Sequence, residues 1–357
     1  GWRKFITNVF SPPSGDSVCS MIAVDVLLNA NLETNAETAK DLDASGADGL
    51  FTYEGKGDVF FPLVRAGTVT NGMLYTNIAV AIPRSPMHLA YQAWDLQRLT
   101  GGRFALGIGS QIRPHIENRY GSVWESPLRQ MRETVEATKA IFDSWQHETS
   151  LNFEGEWTRH TLSSPMLTPD PLQCGPPPIW LAALGPKMTQ LAGACADGLL
   201  VHPFTSHEHL IKHTIPNMMT GLNSRGKDPS SFTLTVGAIV GVHDGTEESR
   251  ERAESIVRGM LGFYGSTPAY RPVLETHGWG HLQPQLRQMT KEGEWGKLGD
   301  LFTQEHLQAL SVVGTPSEVG EELAERFGQT ADRIALSIPQ GIDSSWLTDL
   351  VRGVKNS

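Results

Sequence analysis

Short apolar runs alternate along most of this chain with stretches in which apolar residues recur every three or four positions. The first pattern predicts buried strands and the second predicts amphipathic helices, and their alternation is typical of a parallel sheet. The clearest unit spans residues 74–111, where two apolar runs flank a segment with Leu89, Ala93 and Leu96 on one helical face. We interpret this unit as strand, helix and strand.

The ends of that helix carry strong local signals. Ser85 is placed to cap the first turn with its hydroxyl, and Pro86 suits the first helical position because no amide hydrogen is needed there. Gly101 and Gly102 end the helix. Strands joined by a helical crossover run parallel. Both strands should therefore finish at the same edge of the sheet, where ligands of α/β folds bind.

The same pattern recurs until eight strands are predicted. They are residues 22–28, 48–53, the two strands within 74–111, and residues 178–184, 197–201, 232–242 and 333–338. Eight strand and helix units predict an α/β fold of the (β/α)8 TIM-barrel class, with an open doubly wound sheet as the alternative.

Two insertions and one extension complete the predicted organisation. Residues 1–20 form an amino-terminal extension, and residues 21–357 form a single barrel domain. An insertion near 151–175 begins with a small hairpin turning at Glu154 and Gly155, followed by a proline-rich connector. A second insertion, at 264–311, is aromatic, glycine-rich and irregular in pattern, and it is long enough to cover a site.

Composition narrows the class of partner. The net charge of −10 and the absence of a basic block argue against nucleic acid and anionic membranes as the main partners, and an anionic small ligand would need a local positive pocket. Cys19, Cys174 and Cys195 are widely spaced and odd in number, which favours a reducing, cytoplasmic compartment. No apolar run approaches the roughly 20 residues that span a bilayer.

Polar and flexible residues close strands two to six. They are Glu54, Asn77, the run Gly109, Ser110 and Gln111, the run Gly185, Pro186 and Lys187, and His202. Each alone is readily explained as a cap or a turn, but together they predict a site at the carboxyl end of the barrel. Lys187 opposes the helix dipole in a first turn, and an anion bound at the Gly185 amides would reverse that cost.

Several other chemistries are disfavoured. His202, His207, His209 and His213 lack the spacing and the additional ligands of a zinc site, so no metal is predicted. No GxSxG elbow occurs, and strand four supplies Gln111 where a glycosidase would need a carboxylate. Without a metal or a nucleophile, the reactive group is expected to be a bound cofactor.

Three segments carry a family resemblance. Residues 90–111, the run from Trp180 to Lys187 and residues 196–203 resemble the bacterial luciferase-like flavin superfamily, and within it the branch of coenzyme F420-dependent oxidoreductases. The resemblance covers roughly residues 21–339. It implies a (β/α)8 barrel, commonly a homodimer, that holds a flavin or deazaflavin at the carboxyl mouth.

The resemblance also implies roles for individual residues. Asn77 and Ile78 match a bulge with a non-proline cis peptide behind the cofactor ring. Gly109, Ser110 and Gln111 match the segment beside the ribityl chain. Leu184, Gly185, Pro186 and Lys187 match the phosphate loop, and His202 lies on the following cofactor strand.

Strand two departs from one part of the superfamily. The sugar-phosphate dehydrogenases of the superfamily end this strand in Asp-His with a catalytic histidine, whereas this chain has Glu54 and Gly55 at these positions. Their substrate is therefore not implied, and Glu54 is expected to contact the ring or to act as a general acid or base.

Three hypotheses follow. The first is hydride transfer between C5 of coenzyme F420 and an organic substrate that enters beneath Tyr264, Tyr270 and Trp279 of the second insertion. The second is an FMN-dependent monooxygenase on the same fold. The third is a catalytically silent barrel that binds the cofactor.

Overall fold

A computed structural model describes residues 22–29, 31–226, 229–339 and 341–357. The expected extension at residues 1–20 lies outside the described residues. The described strands, in chain order, are β1 Ala23–Leu27, β2 Gly49–Thr52, β3 Met73–Thr76, β4 Ala79–Val80, β5 Phe104–Gly109, β6 Phe153–Glu154, β7 Arg159–His160, β8 Ile179–Ala183, β9 Gly198–Val201, β10 Thr233–Val242, β11 Val312–Gly314 and β12 Arg333–Ser337.

Eight of these strands close into a parallel barrel in the order β1, β2, β3, β5, β8, β9, β10 and β12. Asp25 of β1 lies opposite Gly49 of β2 on one side and Ala335 of β12 on the other. Closure is completed where β10 pairs with both β9 and β12. The predicted (β/α)8 TIM barrel is confirmed, and all eight predicted strands are present.

Helices surround the barrel and continue into the insertions. They are α1 Asn35–Ala44, α2 Phe61–Gly67, α3 Pro86–Thr100, α4 Arg113–Asn118, α5 Pro127–His147, α6 Pro186–Cys195, α7 His207–His209, α8 Ile215–Arg225, α9 Glu247–Gly265, α10 Arg271–Thr276, α11 Leu282–Lys291, α12 Gln304–Leu310, α13 Pro316–Phe327 and α14 Ser344–Asn356. A π-helical turn, Leu210–Thr214, joins α7 to α8.

Helix α3 begins and ends as its sequence predicts. The hydroxyl of Ser85 accepts a hydrogen bond from the amide of Met87, and Pro86 occupies the first turn. Gly101 ends the helix with a φ of 62°, a left-handed conformation that glycine adopts without a steric penalty. This helix therefore returns the chain from β3 and β4 to the parallel strand β5.

Aromatic and small side chains fill the interior of the barrel. The ring of Tyr75 stacks on Phe51 at 5.4 Å and meets Trp180 edge-on at 5.0 Å. Leu200 and Ala335 complete this layer from the opposite wall. The interior is thus a packed core below the site rather than a channel.

A buried ion pair lies toward the amino-terminal end of the barrel. The guanidinium of Arg333 donates two hydrogen bonds to the Asp25 carboxylate, at 2.7 and 2.6 Å. The Tyr75 hydroxyl donates a third at 3.0 Å. Gly49 provides the space, because a Cβ there would lie 2.5 Å from an Asp25 carboxylate oxygen. Burial disfavours the charged form of Arg333, but the charge and hydrogen bonds of Asp25, with smaller contributions from Tyr75 and Asp48, together raise the pKa of Arg333.

The first insertion contains the predicted hairpin. Strands β6 and β7 pair antiparallel on either side of a turn that starts at Gly155. The carboxylate of Glu133, on α5, accepts hydrogen bonds from the amides of Glu156, Trp157 and Thr158 at 2.6 to 2.9 Å. The hairpin is therefore anchored to α5 through its backbone.

The second insertion, at 264–311, is helical, and its irregular sequence pattern did not predict these helices. It contains α10, α11 and α12 with short 3₁₀ turns between them. Leu274, Leu282, Leu286 and Phe302 are among the residues that give it a core of its own. Its helices are short and its turns glycine-rich, so the periodicity of each one is brief and was missed.

None of the described helices has the length and apolar character needed to cross a bilayer.

The buried ion pair predicts a graded loss of stability. Arg333→Met leaves the Asp25 carboxylate buried without its partner, so we expect the free energy of unfolding to fall by about 3–5 kcal/mol in urea denaturation. Tyr75→Phe removes one hydrogen bond and should cost about 1–3 kcal/mol. Arg352→Ala, which breaks the exposed pair with Asp349, is the control and should change stability by less than about 0.5 kcal/mol. Equal losses in Arg333→Met and Arg352→Ala would contradict this assignment.

Candidate active site

The residues predicted for the site lie at the carboxyl end of the barrel, which we call the mouth. Glu54 follows β2, and Asn77 and Ile78 lie between β3 and β4. Gly109 ends β5, and the run Leu184, Gly185, Pro186 and Lys187 leads from β8 into α6. His202 follows β9 directly. The parallel barrel therefore brings residues from five strands to one rim.

The third barrel strand is interrupted at Asn77 and Ile78. The peptide bond between them is cis, as the family resemblance implied. The Asn77 amide donates to the Thr52 carbonyl of β2 at 2.6 Å, and pairing with β5 resumes at Ala79. The backbone of this segment, the β3–β4 kink, therefore bends inside the wall of the mouth.

Glycines of β5 provide room for the β3–β4 kink. A Cβ at Gly107 would lie only 1.7 Å from the carbonyl oxygen of Thr76. A Cβ at Gly109 would lie 2.9 Å from the Ile78 side chain and 3.4 Å from Ala182. The kink can approach β5 this closely only because β5 has glycine at both of these positions.

Glu54 is hydrogen-bonded on both carboxylate oxygens. Oε2 accepts from the amide of Val80 at 2.8 Å and from the guanidinium of Arg84 at 2.6 Å. Oε1 accepts from the hydroxyl of Tyr120 at 2.9 Å. The side chain of Glu54 is only 8% exposed. These contacts tie Glu54 to the backbone just after the kink and to the loop that follows β5.

Tyr120 was not identified from the sequence. Burial, followed by its hydrogen bond to Glu54, raises the pKa of Tyr120. The neighbouring Arg119 donates to the Gly55 carbonyl at 2.6 Å. The two contacts together hold the loop after β5 against the loop after β2. Tyr120 and Glu54 are 66 positions apart in the sequence, so no local pattern could predict their contact.

Ser110 and Gln111 turn the chain from β5 toward α4. Gln111 has a φ of 60°, which is uncommon for a residue other than glycine. Its side-chain oxygen accepts from the amide of Ile112 at 3.1 Å. The Ser110 hydroxyl donates to the Gln111 carbonyl at 3.1 Å.

The turn before α6 is open. Gly185 is the N-cap residue of that helix, and a Cβ placed on it would meet no atom within 4 Å. The first amides of a helix have no partner within the helix. Lys187 is exposed in the first turn, and no described carboxylate lies within ion-pair distance of it. This turn presents amides and one cation to an anion.

His202 lies beneath aromatic rings of the second insertion. Its ring centroid is 4.7 Å from that of Tyr264 and 4.6 Å from that of Tyr270. Burial lowers the pKa of His202 to about 3, so the imidazole is neutral at physiological pH. Burial also raises the pKa of both tyrosines. The residues around this part of the mouth are therefore uncharged.

The aromatic wall expected from the insertion is present in part. Tyr264 and Tyr270 contact His202, and Tyr53, which follows β2, is close enough to contribute to the raised pKa of Tyr264. Trp279 lies elsewhere: it stacks on His277 at 4.5 Å and meets His306 edge-on at 4.4 Å. Trp279 is therefore removed from the expected wall.

This donor set fits an anionic cofactor with a flat ring. The open Gly185 turn with Lys187 suits a phosphate, and Gly109 and Ala182 leave the wall beside Ile78 free of long side chains. Within the described ranges, no three His, Cys, Asp or Glu side chains come together as metal ligands would.

Most of the chain matches the sequences of known proteins. The chain is 30% identical over 307 residues to the putative coenzyme F420-dependent oxidoreductase Rv3520c of Mycobacterium tuberculosis, covering 82% of this chain and 87% of that one. It is 41% identical over 315 residues to the uncharacterized protein Rv1360 of the same organism, covering 88% and 92%.

A solved structure has the same fold. The coenzyme F420-dependent tetrahydromethanopterin reductase of Methanopyrus kandleri superposes with a TM-score of 0.75 at 18% identity, covering 94% of this chain and 97% of that chain. The profile of the luciferase-like monooxygenase family matches residues 9–333. This chain therefore belongs to the luciferase-like monooxygenase family.

Proposed function

We propose that this protein is a coenzyme F420-dependent oxidoreductase that transfers hydride between C5 of the deazaflavin and a small organic substrate. The observation that carries the proposal is the open Gly185 turn with its exposed Lys187, at the mouth of a chain whose net charge is −10. A cation kept without a carboxylate partner on an acidic protein favours an anionic ligand. The relative that is named as an F420-dependent oxidoreductase supports the choice of cofactor.

Each rim segment has a proposed part in holding the cofactor. Asn77 and Ile78 would support the ring, and the segment Gly109, Ser110 and Gln111 would lie beside the ribityl chain. The run Leu184, Gly185, Pro186 and Lys187 would bind the phosphate, and His202 would border the ring. When bound, the cofactor supplies the hydride chemistry. The chain contributes orientation and, through Tyr264 and Tyr270, exclusion of water.

Glu54 is proposed as a positioning residue rather than as the proton-transfer group. Both of its oxygens already accept hydrogen bonds, and one of these fixes the Val80 amide beside the β3–β4 kink. Its partner Arg84 also donates to the Val80 carbonyl at 2.8 Å. Glu54 and Arg84 together hold the backbone against which the ring would lie.

The assembly and location are also proposals. A homodimer follows from the family resemblance, and a cytoplasmic location follows from the widely spaced cysteines. Size-exclusion chromatography with light scattering tests the first of these.

Side-by-side titrations of the purified protein with F420 and FMN test the choice of cofactor. We expect F420 to bind with a dissociation constant at least tenfold below that of FMN, and reduced F420 to be oxidised with an organic acceptor rather than with oxygen. Tighter FMN binding with oxygen uptake during turnover would assign the monooxygenase activity instead. Tight F420 binding without turnover across a broad substrate panel would favour a silent cofactor-binding barrel.

Lys187→Ala tests the phosphate loop. We expect the dissociation constant for F420 to rise about tenfold, because the variant loses a charge-assisted contact worth about 1.5–3 kcal/mol at full strength and less when exposed. The loss should shrink in high salt, which screens exposed charges. Lys40→Ala, at an exposed lysine of α1, is the control and should bind normally. Unchanged affinity in Lys187→Ala would remove this residue from the phosphate site.

Glu54→Gln separates the two roles considered for this carboxylate. If Glu54 is a positioning residue, its replacement by glutamine weakens the contact with Arg84. We then expect a loss of about 1–3 kcal/mol in unfolding free energy and weaker F420 binding. The pH profile of kcat should keep its shape. Glu136→Gln, at an exposed carboxylate of α5, is the control. A lost limb of the pH profile with normal stability and binding would instead make Glu54 the proton-transfer group.

A further inference from the structure

The hydrogen bonding of His202 fixes the tautomer of its ring. The backbone amide of Phe204 donates to Nδ1 of His202 at 3.0 Å. Because a backbone N–H can only donate, Nδ1 must carry a lone pair. The single ring proton of the neutral imidazole is then on Nε2. His202 therefore presents an N–H donor on the edge of the ring away from Phe204.

The ring that carries this donor lies at the mouth of the barrel, because His202 directly follows the last residue of β9. Gly198 faces the ring of Trp180, and Leu200 belongs to the barrel interior. Since side chains alternate along a strand, His202 follows them on the interior side. Among the described residues, no side chain or backbone group accepts a hydrogen bond from Nε2. The donor is available to a ligand.

The surroundings keep this donor uncharged over a wide pH range. The groups facing the ring from the insertion are the hydroxyl-bearing rings of Tyr264 and Tyr270, and burial raises the pKa of both. Burial lowers the pKa of His202 itself to about 3. No described carboxylate forms an ion pair with His202. A neutral imidazole N–H can polarise a carbonyl group without changing charge.

We infer that the Nε2–H group of His202 donates a hydrogen bond to the carbonyl oxygen of the substrate, which is therefore a ketone or an aldehyde in the reducing direction and the matching alcohol in the other. The inference rests on the proposed function and adds the substrate class to it. His202 is placed to stabilise the negative charge that develops on the substrate oxygen as hydride reaches the carbon.

The reaction balances without a proton from His202. The carbonyl carbon gains hydride with its electron pair from the reduced cofactor, and the π bond to oxygen breaks. The oxygen takes a proton from water, and the cofactor returns one proton to water as it is oxidised. The substrate is reduced by two electrons and the cofactor is oxidised by two. The neutral imidazole is too weak an acid to supply the proton, so its part is to bind the oxygen.

The first test needs no turnover: it identifies the tautomer in the cofactor-free protein and then measures ligand binding with oxidised F420. In protein labelled with ¹⁵N-histidine, the spectrum of His202→Gln identifies the His202 signals by their loss. We expect the Nε2–H tautomer without titration between pH 5 and 9, and a shift of the Nε2 signal when isobutyramide, an inert carbonyl compound, binds in the presence of oxidised F420. A protonated ring at neutral pH, or a proton on Nδ1, overturns the inference.

The second test measures reduction of acetone, cyclohexanone and benzaldehyde by reduced F420. We expect His202→Phe to lower kcat/KM about 10²–10³-fold, the effect of losing one donor to a developing oxyanion. His202→Gln keeps an N–H donor at a similar reach, so its kcat/KM should be at least tenfold higher than that of His202→Phe. The control is His147→Gln, at an exposed histidine that ends α5. It should match the parent enzyme.

The outcomes separate the inference from the proposed function. If F420 neither binds nor turns over, the proposed function fails while the tautomer of His202 stands as measured. If F420 turns over but kcat/KM for carbonyl compounds is the same in His202→Phe, the inference fails alone. A rise in the dissociation constant of F420 with unchanged kcat in His202→Phe assigns the donor to the cofactor and likewise overturns the inference.

Discussion

The close approach of β3 and β4 to β5 is the constraint on which the mouth depends. The carbonyl of Thr76 occupies the space that a side chain at Gly107 would need, and the side chain of Ile78 fills the space next to Gly109. A larger residue at Gly107 or Gly109 would push the strands apart at the level where the wall of the barrel bends. The bent backbone would then lose its contacts with both neighbouring strands.

Glu54 extends that constraint from the backbone to the loops. Its carboxylate links the Val80 amide of β4, the Arg84 guanidinium just after β4 and the Tyr120 hydroxyl in the connection that follows β5. A buried carboxylate with three donors is far better satisfied than one with a single partner, because each removes part of the cost of burial. The mouth is therefore organised by one charged group whose two oxygens both accept hydrogen bonds from the chain itself.

Local patterns were sufficient to predict the barrel but not the contacts within its mouth. Strand periodicity, the Ser85 cap and the glycines after α3 act over a few residues, and each element that they predicted is present. The pairing of Glu54 with Arg84 and Tyr120 joins positions 30 and 66 residues apart, so it depends on the closed barrel. The short helices of the second insertion were missed because their apolar contacts come from one another and not from a long amphipathic face.

Charge is distributed unevenly along the barrel axis, and the distribution has a chemical consequence. The ion pair of Asp25 and Arg333 is enclosed at the amino-terminal end, where hydrogen bonds satisfy both partners. At the mouth, the carboxylate of Glu54 is neutralised by Arg84, and His202 is neutral between two tyrosine rings. An uncharged, poorly hydrated surface lets a hydrogen bond act at close to full strength on a ligand whose own charge changes during reaction. At the mouth the fold thus pairs the charge of Glu54 and keeps His202 neutral, while Lys187 stays an exposed cation at the turn before α6.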